Sequence, residues 1–206
     1  MDNYYSSAEL EALGIKKIGT NVKVSRKASL HGCDRMEFGD NVRVDDFCFL
    51  YGKLVFGSYI HIAPFCFLSG GDEGIYFGDF SGLSFRVSAF TRSDDYSGGT
   101  LTNPMVPEKY RYKTVKKELY IKKHAIVGVG SIIMPGAHIE EGVAVGAASL
   151  VTKPTEPWGI YTGIPAVRRE RERERDAATR EGISGRNRTR DAINTGCRPR
   201  GERHAA

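Results

Sequence analysis

IKKHAIVGVGSIIMPGAHIEEGVAVGAASLV, residues 121–151, decides the fold. Every sixth residue is aliphatic without a slip: Ile121, Val127, Ile133, Ile139, Val145 and Val151. Four places after each of the first five stands a small or slender residue: Ala125, Ser131, Ala137, Val143 and Ser149. Glycine follows the aliphatic in two hexads (Gly128, Gly146) and Glu140 does in a third. A helix repeats near 3.6 residues and a strand every 2, so neither gives a beat of six. Three short flat strands wound into a triangular coil do give it. The aliphatics then point inward, the small residues fill inner corners, and one turn takes 18 residues. Aliphatics 18 apart stack at the strand spacing of about 4.8 Å. The stretch predicts an all-β chain built as a hexapeptide-repeat parallel β-helix.

Working outward, the beat reaches back to Ile18, Val24 and Leu30, with Val22 and Ala28 in the small slot. A two-residue slip precedes Phe38, Val44 and Leu50, then Phe56, Ile62 and Leu68. A second slip at Gly70-Gly71-Asp72-Glu73-Gly74 precedes Phe77 and Leu83, and the beat ends near Ala89. Slips at corners should bulge outward and leave the stacked core intact. Upstream, Ser6-Ser7-Ala8-Glu9 before Leu10 and Leu13 predicts a capped short helix, stopped by Gly14 and lying over the open end of the coil.

Residues 91–118 have no six-residue beat and carry Gly98-Gly99, Pro104 and Pro107. A loop of that length inside a repeat fold is functional or disordered. Tyr96, Tyr110 and Tyr112, with Asn103, offer a platform for a sugar face, or simply pack the loop down. After Val151 the pattern stops at Thr152-Lys153-Pro154. The expected organisation is a helical cap over 1–14, the coil over 15–167 with its excursion at 91–118, and an Arg-rich tail over 168–206. Arg-Glu alternation at 169–175 makes the tail partly helical, with the remainder disordered.

The basic balance belongs to that tail. It holds 12 Arg against 7 acidic residues, a net +5, and the whole chain is also +5, so residues 1–167 are neutral with 18 basic and 18 acidic groups. A neutral body is not a nucleic-acid binder. No apolar run approaches the 18 residues of a membrane span, and no signal-peptide pattern opens the chain, so no membrane insertion is expected. Four cysteines make no metal or redox motif. Cys48 and Cys66 share the small slot one turn apart and read as reduced core fillers, which suits a cytoplasmic protein.

The run Gly146-Ala147-Ala148-Ser149-Leu150-Val151-Thr152-Lys153 followed by Gly163-Ile164-Pro165-Ala166 resembles the closing signature of the hexapeptide-repeat acyltransferases of galactoside, maltose and chloramphenicol type, and the sugar acetyltransferases of surface-polysaccharide pathways. The resemblance spans residues 18–169. It implies a left-handed coil, a homotrimer, and acetyl-CoA as co-substrate in a groove between neighbouring coils, with no metal. The acceptor would be a sugar or nucleotide sugar. Carried over, backbone contacts to CoA fall at Val129 and Ala147, and Thr152 and Lys153 match a Thr-Lys pair near its nucleotide. Arg168, with Arg169, roughly matches later arginines. A Lys offers a compact charge to a phosphate.

The catalytic position departs from that pattern. The family's histidine at the start of the long loop falls here at Asp94, followed by Asp95 and Tyr96. The family's acceptor-binding asparagine falls opposite Ala63, and its acidic acceptor contact lands near Asp72. Asp94 could act as base if Asp95 and burial raise its pKa. His124, in the turn after the loop, could instead reach the groove from an adjoining subunit. A third solution is an amine acceptor, whose own lone pair makes positioning count for more than a strong base. Asp72, Asp95, Tyr96 and Tyr110 are the candidate acceptor contacts. His31, His61, His138 and His204 weigh little, and the paired histidines of the coil-shaped zinc carbonic anhydrases have no counterpart. The sequence thus points to a sugar O- or N-acetyltransferase, with a non-catalytic scaffold coil as the alternative.

Overall fold

The computed structural model describes residues 3–169. The expected Arg-Glu helix and disordered tail fall outside them, except for Arg168 and Arg169. The described chain is a left-handed parallel β-helix. Its register is the one the beat dictates. The first face stacks Ile18, Phe38, Phe56, Phe77, Ile121 and Ile139. Val24, Val44, Ile62, Leu83, Val127, Val145 and Tyr161 stack on the second. The third carries Leu30, Leu50, Leu68, Ala89, Ile133 and Val151. Apart from Ile18 and Leu30 at the open end, all of these side chains are buried.

The first slip becomes the 3-10 turn Cys33–Arg35. The second is absorbed within the strand Phe67–Phe77, whose register shifts against Phe49–Phe56 at Gly52. The core passes both unbroken. One inner corner differs from the expectation of small residues. Met36, Leu54, Ile75 and Leu119 stack there and are fully buried, while Ala137 restores the small slot only one turn later. Another corner carries Ile60, and the small slot otherwise holds, with Cys48, Cys66, Ala125, Ser131 and Ser149 buried and both cysteines free.

The helix Ser7–Ala12 carries the capping box, Ser6 Oγ accepting from the Glu9 N–H while Glu9 accepts from the Ser6 N–H. It buries Leu10 against the first turn, and Tyr5 donates its N–H to the Val24 carbonyl, covering an open strand edge. At the other end the coil does not stop at Val151. Ile160–Thr162 adds a further strand to the second face, with Tyr161 inward, and Val167–Arg169 folds back antiparallel on it. Its inward residue comes 16 rather than 18 positions after Val145, and it is Tyr rather than aliphatic, which is why the six-residue beat misses it.

Residues 91–118 leave between the third and first faces as a structured excursion. Its root is a two-stranded antiparallel pair, Arg92–Ser93 with Val115–Lys116, and the Lys117 N–H donates to the Thr91 carbonyl.

Phe56 lies between Phe38 and Phe77, ring centroids 4.9 and 4.7 Å away. Phe56→Ala should cost about 3–5 kcal/mol, because neighbours fixed by the strand spacing cannot close the cavity; denaturant melts will measure it. At the capped end, Arg26 and the Ser6 cap hold the Glu9 carboxyl down at about 2, and Lys27, Ser25 and Asn3 hold Asp46 at about 2. Carboxyls depressed below their unfolded range of about 4 stabilise the fold above that range and lose the contribution as pH falls towards 2. Melting temperature should therefore hold from neutrality to about pH 5 and fall below pH 4, less steeply in Asp46→Asn and in high salt.

Candidate active site

Outward positions of the second face form a trough. Strand alternation points Val44, Ile62, Leu83 and Val127 inward and sends their neighbours out. Those neighbours include Ala63, Gly82, Gly128 and Gly146, so the surface is hollow. His61, Ala63, Gly82, Ser84, Phe85 and Ile126 bound a cavity of about 400 Å³. A side chain at Gly82 would meet only the His61 carbonyl, at 3.2 Å. At one side His61 Nε2 lies 2.7 Å from Asp45 Oδ2, and Arg43 Nε donates to Asp45 Oδ1 at 2.6 Å. Asp45 is only 7% exposed.

Val129 and Ala147 follow Gly128 and Gly146 at the corner beyond the trough. Both are exposed, and neither N–H has a partner among the described residues. Backbone donors beside glycines suit the close approach of a thin polyamide chain. Thr152 and Lys153 are exposed on the strand end that follows. Arg168 lies on the closing antiparallel strand and pairs with Glu156, so its charge is already shared.

A second cavity, about 560 Å³ and polar, opens at the root of the excursion. Asp72, Arg92, Asp94, Arg111, Thr114 and Lys116 line it. Arg92 is its fixed point, donating to Glu73 at 2.8 Å and to Asp72 at 2.5 Å. Glu73 and then Asp72 push the Arg92 guanidinium further up. Arg35 reaches Asp72 from the first slip, and the two arginines, Arg92 foremost, hold the Asp72 carboxyl below its usual range. Burial pushes Glu73 up, but Arg92 outweighs it and leaves the carboxyl lowered. The second slip therefore anchors the excursion, and Asp72 acts first as a clamp between two arginines.

Asp94 is half-buried in this cavity and accepts the Asn103 N–H at 3.2 Å. Its neighbour Asp95 is engaged locally by Ser97. Both of its oxygens accept from Ser97, whose N–H and hydroxyl hold the Asp95 carboxyl low. The tyrosines divide. Tyr112 donates to the Gly99 carbonyl and Lys109 lies over the Tyr110 ring, so each has one contact within the loop while staying exposed, and Tyr96 is 89% exposed. The structure brings Asp72 and Asp94 together and keeps His124 apart from them. His124 sits at the corner between the first and second faces, its ring stacked on Phe80 at 5.3 Å with Trp158 beyond.

Two residues escaped the reading of the sequence. His61 reads from its hexad as a plain outward residue, and Ser84 follows an inward Leu83 that alone carries the beat. The signal was present: outward residues also repeat, and Ala63, Ser84 and Gly128 occupy one outward row beside Ile62, Leu83 and Val127.

No protein-family model matches the chain. The chain is 39% identical over 165 residues to the dTDP-4-amino-4,6-dideoxy-D-glucose acyltransferase of Escherichia coli, covering 79% of this chain and 85% of that protein. It is 26% identical over 121 residues to the galactoside O-acetyltransferase of Lactococcus lactis, covering 53% and 58%. Among solved structures, the N-acyltransferase AntD from Bacillus cereus, in complex with dTDP and 3-hydroxybutyryl-CoA, superposes with a TM-score of 0.80 at 40% identity, covering 91% of this chain and all of that one. Further AntD structures carry substitutions at its residues 84 and 94: S84A with dTDP-4-amino-4,6-dideoxyglucose and coenzyme A, and D94A with dTDP and coenzyme A.

The clamp predicts a local failure. Arg92→Met leaves Asp72 and Glu73 facing each other without their shared cation, and should cost about 1–2 kcal/mol, the partial exposure of the pair keeping it low. Limited proteolysis should then cut within residues 97–112 faster than in the parent chain, before the coil itself melts.

Proposed function

The chain belongs to the hexapeptide-repeat sugar acyltransferases, and from that premise we propose that it transfers an acyl group from acyl-CoA to the amino group of a dTDP-linked 4-amino-4,6-dideoxy sugar. Membership in an enzyme family answers the scaffold alternative. The observation that carries the acceptor is the 39% identity to an enzyme acting on that sugar. This chain's Asp94 supports it, with the same residue type at the same number as the Asp substituted in AntD and a place in the polar cavity.

The chemistry agrees with an amine. A sugar hydroxyl must lose its proton as it attacks, which calls for a base at the oxygen. A neutral amine brings its lone pair ready and needs alignment on the thioester carbon. Asp94 supplies alignment by accepting an N–H of the acceptor. Arg111 and Lys116 place positive charge in the same cavity, matched to a diphosphate. Along the coil, the N–H groups of Val129 and Ala147 would bind the pantetheine amides, with Thr152 and Lys153, and more distantly Arg168, at the nucleotide end. Asp95, Tyr96 and Tyr110 stand on the excursion and would close over the sugar.

Asp94 and Ser84 line different cavities, at different places around one coil. If both serve one acceptor, the excursion of one copy must lie over the trough of the next. Three copies close such a head-to-tail contact into a ring, so we take the enzyme as a homotrimer with sites at its interfaces.

Incubation with acetyl-CoA and dTDP-4-amino-4,6-dideoxyglucose, followed by thiol release, tests the reading. The amine should be acylated and the corresponding 4-hydroxy sugar should not; turnover of the hydroxyl alone would overturn the acceptor. Asp94→Asn should lower kcat/KM by about a hundredfold. If instead His124→Ala causes the loss and Asp94→Asn does not, the role passes to His124.

A further inference from the structure

An amine that attacks a thioester becomes a cationic nitrogen, and its proton must go somewhere before the product is neutral. We infer that His61, held by Asp45, receives that proton through the hydroxyl of Ser84, an inference that rests on the N-acyltransferase reading above. Three observations converge on it. Asp45 is a buried carboxylate with two partners, Arg43 Nε and His61 Nε2. When Nε2–H is donated to Asp45, the lone pair of the ring is on Nδ1, which has no partner among the described residues. The ring lines the trough that also holds Ser84.

Register supplies the proximity. His61 pairs with Gly82 across the sheet, and Ser84 lies two residues on from Gly82, on the same outward side. Diagonal neighbours of this kind lie about 7–8 Å apart at the backbone, within reach of an imidazole. Gly82 places no side chain between them, so the path from hydroxyl to ring is open. The charged groups against the ring are Asp45 and Arg43 on the strand below, with Tyr4 on the far side of Arg43; the strand above contributes Gly82 and Leu83, neither of which titrates.

The step balances without a further reactant. The acceptor nitrogen bonds to the thioester carbon, giving a tetrahedral intermediate with a cationic nitrogen. That nitrogen passes a proton to Ser84 Oγ as the Ser84 hydroxyl proton moves to His61 Nδ1. The carbon–sulfur bond then breaks, and the departing CoA thiolate takes a proton back from the imidazolium by the same hydroxyl. An imidazole suits both transfers near neutral pH. His61 and Ser84 are thus a relay, and Asp45 is a positioning residue that acts through His61.

The test is kinetic, on the full-length chain with acetyl-CoA and the amino sugar. His61→Gln keeps an amide donor for Asp45 and should lower kcat at least thirtyfold with KM changed less than threefold. The pH dependence of kcat in this variant should differ from the parent's. Imidazole added to His61→Ala should restore kcat at least tenfold, and should not do so in Ser84→Ala. Retention of kcat within threefold, an unchanged pH profile in His61→Gln, or no imidazole rescue overturns the inference; if one variant fails to fold, the other decides. A parent enzyme that acylates no amino sugar would refute the N-acyltransferase reading instead.

Discussion

Side chains stacked one strand spacing apart along the inside of a prism constrain everything else in this molecule. Each inward residue rests on its counterpart in the turns before and after, so a face cannot shift by a single residue without turning its core outward. Phe38, Phe56 and Phe77 stack nearly parallel because the strand spacing of about 4.8 Å is also a comfortable ring-to-ring distance. Wherever the chain adds residues, the addition has to leave at a corner. That is why the first slip makes a 3-10 turn, the second a register shift and the long excursion a departure between two faces, and why the catalytic candidates gather where they do.

The corners bear their own cost. Asn21, Asn41, Tyr59, Phe80, His124 and Trp158 form one corner column, and all have φ between +53° and +60°. A left-handed backbone costs a non-glycine residue about 1–2 kcal/mol. The column offsets it by ordered contact: the N–H groups of Asn41, Tyr59, Phe80, His124 and Trp158 donate to carbonyls of the adjacent turn, and Tyr59, Phe80 and His124 stack their rings. Gly142, at +66° in the same column, has no side chain because the Trp158 ring lies where a Cβ would go. His124 belongs to this structural ladder, which gives its ring a stacking role at an exposed turn.

Division of labour follows from the same geometry. The rigid second face offers a shallow trough whose floor is small residues, suited to a long, thin donor. The excursion offers a polar cavity with carboxylates and cations, suited to a charged acceptor. It is tied down by Arg92, which spans Asp72 and Glu73 of the second slip, so the irregular part of the repeat serves as an anchor for the irregular part of the site.

By itself the sequence determined the coil, its three faces, its register and the place of the excursion, because a six-residue beat of inward aliphatics is local and repeats. It also carried the closing signature, and with it the donor. Ion pairs and outward neighbours were less legible. Nothing in the order of residues says that Arg35 and Arg92 share Asp72, that Asp95 turns away to Ser97, or that Tyr161 is inward one turn beyond the last hexad. The ion pairs join side chains 37 and 20 residues apart across turns, and the other two depend on how the loop and the last corner turn the chain. Only the tertiary structure seats Asp45 under His61 and opens a gap at Gly82 beside Ser84, since a residue's neighbours on a prism face are set by the turns above and below it.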